Sequence, residues 1–133
     1  MKPVFNTIDI VVADIASSIN FYRQLGLEFT VDPSYAQHAG CDLPNGVHVM
    51  LDEEKFAAMA RPGWERAAGS PPVFFSFEYS TPAEVDEAYA TITAAGYQGS
   101  REPWDAFWGQ RYATVLDPDG NGIDLYCPLP AAG

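Results

Sequence analysis

The chain states one pattern twice, and that repetition limits its fold more than any other feature. Residues 4–12 alternate as a strand, with Ile8, Ile10 and Val12 on one side and Thr7, Asp9 and Val11 on the other. Asp14 stands where a helix N-cap belongs. Ile15, Ile19, Tyr22 and Leu25 form a helical stripe over about 15–25, and Gly26 ends it. Strands are expected at 27–31, 35–42 and 47–52, the last after the turn signal Pro44-Asn45-Gly46, followed by a short helix at 53–61. The pattern then restarts. A strand at 73–79 sets Phe74, Ser76 and Glu78 opposite Phe75, Phe77 and Tyr79. Thr81-Pro82-Ala83-Glu84 is a capping box with proline at the first helical position, and it opens a helix over about 82–95 that ends near Gly96. Strands are expected at 97–102, 110–116 and 122–127.

The order is therefore strand, helix, three strands, twice over: an α+β fold of two tandem βαβββ modules in one domain. The first module covers about 1–60 and the second about 73–128. The Pro- and Gly-containing stretch 61–72 reads as an exposed, mobile linker. The helix-ending Gly26 and Gly96 lie 70 residues apart, and Asn45-Gly46 and Asn121-Gly122 lie 76 apart, as expected of a diverged duplication with unequal loops.

Composition removes several classes of function. Eighteen acidic residues against seven basic leave a net charge of −11, which opposes nucleic-acid binding and favours a cationic ligand. No apolar run is long enough to span a membrane, and no basic helix suggests a membrane surface. Met1-Lys2-Pro3 leads directly into a strand pattern with no apolar leader, so a cytoplasmic protein is expected. Cys41 and Cys127 form neither a disulfide framework nor a metal motif. There is no nucleophile elbow and no phosphate-binding glycine loop.

The polar sides of the strands carry the chemistry. In the last strand, Asp124 and Tyr126 alternate with Ile123, Leu125 and Cys127 after the turn Asp117-Pro118-Asp119-Gly120-Asn121. An acid there faces either water or a cavity. With Thr7, Asp9, His48, Met50, Phe74 and Glu78 it makes a face too polar for a dry core and too aromatic for plain solvent, which suits the inside of a cup. Asp9, Glu78 and Asp124 in one concavity attract a cation, or raise one another's pKa. Trp104, Phe107, Trp108 and Tyr112 fall within nine residues, on a loop and the strand after it. They form either a stacking wall for a ligand or a packing surface. Arg111 is expected to pair with an acid, and Arg101 to lie at the surface.

The segments Val12-Ala13-Asp14-Ile15-Ala16-Ser17-Ser18-Ile19-Asn20-Phe21-Tyr22, Leu25-Gly26-Leu27 and Trp108-Gly109-Gln110-Arg111-Tyr112 running into Asp117–Asn121 resemble the vicinal oxygen chelate superfamily, over nearly the whole chain. That superfamily includes glyoxalases, bleomycin-resistance proteins and extradiol dioxygenases. The resemblance implies a half-open, cup-shaped sheet and a homodimer. It implies metal ligands, in the metal-dependent members, on four strands. Here those positions fall on Thr7, on His48 or Met50, on Phe74, and on Asp124. Thr7 is a poor ligand and Phe74 none, so at most His48 and Asp124 remain, with His38 on a neighbouring strand. The expectation is a binding protein of the bleomycin-resistance type with no catalytic residues and no cofactor, holding a partly aromatic, cationic small molecule among Thr7, Asp9, His48, Met50, Phe74, Glu78, Trp104, Phe107, Trp108, Tyr112, Asp124 and Tyr126. The alternatives are a lyase or dioxygenase using a divalent metal, and a non-catalytic scaffold or regulatory module.

Overall fold

The computed structural model describes residues 1–131 and divides after Ala68 into two compact units. In the first, β1 (Thr7–Val12) leads into α1 (Ile15–Arg23), followed by β2 (Thr30–Val31), β3 (His38–Asp42), β4 (His48–Glu53) and α2 (Glu54–Ala60). The strands form one sheet in the order β1-β4-β3-β2, with β1 parallel to β4 and the other pairs antiparallel. Asp14 caps α1, its Oδ2 accepting from the Ser17 amide at 2.9 Å and the Ser17 hydroxyl at 2.8 Å. Past the helix end the Leu27 amide reaches back to the Tyr22 carbonyl at 3.1 Å, a Schellman closure. The buried stripe of α1, Ile15, Phe21 and Tyr22, belongs to the same core as Ile10, Val12, Val49 and Leu51. The shorter helix α2 contacts β4 and β1, and its Ala57 is wholly buried.

The second unit runs β5 (Phe74–Glu78), α3 (Pro82–Ala94), β6 (Gly99–Ala106), β7 (Gln110–Leu116) and β8 (Gly122–Pro128). Its sheet has the order β5-β8-β7-β6, again with one parallel pair, β5 and β8. Thr81 caps α3: its Oγ1 accepts the Glu84 amide at 3.2 Å and donates to the Glu84 carboxylate at 3.2 Å. Val85 and Ile92 of α3 are buried with Ala113, Val115, Ile123, Leu125 and Cys127. The turn before β8 is built by Asp117. One oxygen accepts the Asp119 and Asn121 amides at 2.9 Å each, and the other accepts the Asn121 side-chain amide at 2.8 Å.

Several boundaries differ from the sequence expectations, beginning with the strand expected at 4–12, which starts at Thr7. The strand expected at 27–31 is only Thr30–Val31. The one expected at 35–42 begins at His38, because the Asp32 side chain caps the Ser34 amide at 2.7 Å and Tyr35 to His38 close a further turn. The strand expected at 97–102 extends from Gly99 to Ala106, so Trp104 lies on a strand rather than on a loop. Residues 61–73 hold no helix or strand, and most are exposed. No helix among the described residues is long and apolar enough to cross a membrane.

Candidate functional site

Each sheet has one face packed by its long helix. Strand register fixes what the opposite face carries. In the second unit, Ser76, Asp124 and Thr114 are neighbours across β5, β8 and β7, and Glu78, Tyr126, Tyr112 and Trp104 form the next row across all four strands. At one end, Phe74 stands opposite Gly122. A Cβ at residue 122 would lie 2.3 Å from the Phe74 ring, so only glycine lets that ring rest there.

Asp124 is the buried centre of this face, 8% exposed. Its Oδ2 accepts from the Tyr112 hydroxyl at 2.7 Å and its Oδ1 from the Thr114 hydroxyl at 2.8 Å. A carboxylate withdrawn from water in this way is held by charge-assisted hydrogen bonds on both oxygens. Burial raises the Tyr112 phenol to about 12. The bond to Asp124 and its negative charge add to that, while a hydrogen bond with Ser76 works against it. Beside these groups a cavity of about 240 Å³ is lined by Ser76, Gln110, Tyr112 and Tyr126. That is room for part of a small molecule, and all four lining side chains offer hydrogen bonds.

The aromatic cluster adjoins this cavity. Residues 107–109 turn between the paired Ala106 and Gln110, with Gly109 at φ 91°, a backbone that other residues avoid. Trp108 meets Tyr112 edge-on at 5.1 Å, Trp104 at 5.4 Å and Phe107 at 4.8 Å. Tyr112 lies 6.3 Å from Tyr126. The Trp108 indole donates to Gln110 Oε1 at 2.8 Å, which ties the ring cluster to the cavity wall. Phe107 remains 90% exposed and Trp108 48% exposed.

The first unit gathers a different set on the face away from α1. Thr7 pairs with His48, Asp9 with Met50, and His38 with Asp52. The His48 ring leans over Gly40, with Nδ1 at 2.7 Å from Asp42. His38 Nδ1 is in direct contact with the buried Asp52 carboxylate, and the His38 ring packs on Phe56 of α2. Asp9 lies between Asp52 and Arg61, whose Nη2 donates to Asp9 Oδ2 at 3.2 Å. Burial pushes the Asp9 carboxyl up to about 6. A hydrogen bond and repulsion from Asp52 push it the same way, and Arg61 opposes them. Within the first unit, the acid that raises the Asp9 carboxyl alongside burial is Asp52.

Two of the metal-ligand positions implied by the resemblance, Thr7 and Phe74, are filled by groups that do not suit a metal. Thr7 is a neutral hydroxyl already donating to Asn6 at 2.9 Å, and Phe74 is a ring lying over Gly122. Both Asp124 oxygens already serve hydroxyl donors. The 76-residue offset matches His48 to Asp124, but the ladders give another answer. With Thr7 and Phe74 as counterparts, Gly122 corresponds to His48, and Met50 to Asp124. Among the described residues no three His, Cys, Asp or Glu side chains are grouped to hold a metal ion.

Sequence reasoning placed Asp9, Met50, Glu78 and Tyr126 on the polar sides of their strands, and the registers put them there. It passed over Asp52, Thr114 and Gln110. All three were accessible through alternation, since Asp52 follows Met50 by two and Thr114 and Gln110 flank Tyr112 by two. Arg61 and its reach to Asp9 had no local signal. Arg111 meets its expectation of an acidic partner, bonding Asp86 at 2.9 Å and Asp105 at 3.1 Å.

This geometry has many counterparts among solved structures. A hypothetical protein of S. aureus superposes with a TM-score of 0.80 at 23% identity, covering 96% of this chain and 95% of that one. A glyoxalase/bleomycin resistance protein/dioxygenase from Nocardioides gives 0.76 at 24% identity, covering 99% and 87%. A glyoxalase-related enzyme from Fulvimarina pelagi gives 0.81 at 18% identity, covering 98% and 94%. At these identities the likeness concerns the fold. No curated protein matches. The family model for the Glyoxalase/Bleomycin resistance protein/Dioxygenase superfamily matches residues 4–125. The chain, with its two βαβββ units and their mixed sheets, belongs to that superfamily.

Proposed function

We propose that the protein binds and sequesters a planar, aromatic, cationic small molecule, without a metal and without transforming it. The observation that carries this reading is the ring cluster of the second unit. Trp104, Phe107, Trp108 and Tyr112 join edge to face, with Phe107 largely open to solvent and Trp108 half-exposed, beside a cavity with hydrogen-bonding walls. Large exposed rings held in place by their own contacts offer area for stacking at little entropic cost. The net charge of −11 draws cations toward the surface, and aromatic faces retain them at short range. The buried Asp124 acts as the scaffold of the cavity: it orients Tyr112 and Thr114 and adds negative potential beneath the site.

We take the acting form to be a homodimer, as the family resemblance implies. Titration calorimetry against N-methylquinolinium and a set of basic, planar antibiotics tests the binding reading. Saturable heat with one ligand per chain is expected for at least one of them, and no heat with any of them would remove its support. A metal-dependent lyase or dioxygenase instead predicts stoichiometric metal in protein purified without chelators.

A further inference from the structure

The strand β6 is longer than its partner needs, and the excess sets a cation on a ring. Gly99 pairs with Val115, Arg101 with Thr114, and Trp104 with Tyr112, so β6 takes two steps and then three where β7 takes one and then two. Each mismatch is a β-bulge. Residues three apart on a regular strand point to opposite faces, but the second bulge turns Arg101 and Trp104 to the same one. The Arg101 guanidinium lies over the Trp104 ring, 4.0 Å from its centroid.

This placement is unusual for the chain. Arg23, Arg61, Arg66 and Arg111 each pair with a carboxylate. Arg101 alone among the arginines makes no ion pair among the described residues, although acids outnumber basic residues 18 to 7. A guanidinium that rests on an indole in so acidic a protein marks that ring face as a good seat for a cation.

We propose that Arg101 is the internal competitor of the aromatic site, a cation that occupies the Trp104 face and is displaced by the cationic group of the ligand. The proposal rests on the binding reading above and names the charge the site selects. A ligand's planar cation takes the place of the guanidinium, and a neutral ring of the same shape does not gain from that exchange.

The test compares N-methylquinolinium with neutral quinoline by calorimetry, on the wild type and the Arg101→Gln and Arg23→Gln variants. Both substitutions remove one positive charge, and the second does so on α1 in the other unit. Arg101→Gln should bind N-methylquinolinium about two- to fivefold more tightly, with quinoline unchanged, since vacating an exposed cation–π contact releases that much affinity. Arg23→Gln should leave both affinities as they are. Wild-type binding with no gain, or a loss, in Arg101→Gln overturns the proposal and leaves the binding reading standing. An equal gain in Arg23→Gln overturns it too, by tracing the effect to net charge. Wild type that takes up neither probe overturns the binding reading, and the proposal with it.

Discussion

The Tyr112 hydroxyl donates to Asp124 Oδ2 at 2.7 Å, across neighbouring strands on the open face of the second sheet. With Thr114 on the other oxygen, the bond makes a buried carboxylate part of the scaffold. Asp124→Asn keeps the shape but replaces one acceptor with a donor, so one hydroxyl must turn to accept and its own proton loses its acceptor. Chemical denaturation should show a loss of about 1–3 kcal/mol. The Tyr112 phenol, raised to about 12, should titrate lower in this variant by ultraviolet spectroscopy, though still above an ordinary tyrosine because burial, the largest cause, remains. An unchanged Tyr112 titration would show that the charge of Asp124 does not act on it.

Asp9 gives the protein an unusual acid dependence. Its folded pKa of about 6 lies above the unfolded value of 3.8, so between them the folded state holds the extra proton. Its contribution favours folding below pH 4 and is lost as pH rises from about 4 to 6. Asp9→Asn, which mimics the protonated form, should flatten the stability profile in that window and leave the protein more stable at pH 7. Denaturation midpoints measured from pH 4 to pH 7 decide it. A variant less stable than wild type at pH 7 would mean that the ion pair with Arg61 outweighs burial.

Gly122→Ala should force the Phe74 ring aside, because the new methyl would meet it at 2.3 Å. The Phe74 ring is exposed and can swing outward, so the cost expected is at most about 1 kcal/mol. The substitution is much less harmful when Phe74 is also changed to Ala, and a double-mutant cycle by denaturation measures that coupling. Independent, additive effects would show that the two residues do not meet.

The repeat was legible because its signals are local. Alternation, a capped helix and a turn such as Asp117–Asn121 each lie within a few residues, and the sheet order follows from them. Alternation also put Asp9, Asp124 and Tyr126 on the polar sides of their strands. What stayed hidden depends on pairing between strands. The two bulges in β6 leave no mark in composition, so Trp104 read as a loop residue and Arg101 as an ordinary surface charge. Asp52 and Arg61 act on Asp9 only because α2 brings Arg61 back to β1 and because β4 runs beside it. The ligand position on β4 was ambiguous for the same reason. A sequence offset counts loop residues, and a ladder does not.

Calorimetric titration of planar cations, N-methylquinolinium first, into the wild type and Trp108→Ala, with melting temperatures measured alongside, decides whether the aromatic cluster holds a ligand. Trp108 is half-exposed and joins Trp104, Phe107 and Tyr112, so its loss should weaken binding about tenfold and leave the melting temperature nearly unchanged. Equal binding by both proteins, or a variant that melts far lower with no ligand bound by either, would contradict the aromatic cluster as a ligand site and leave it a packing surface.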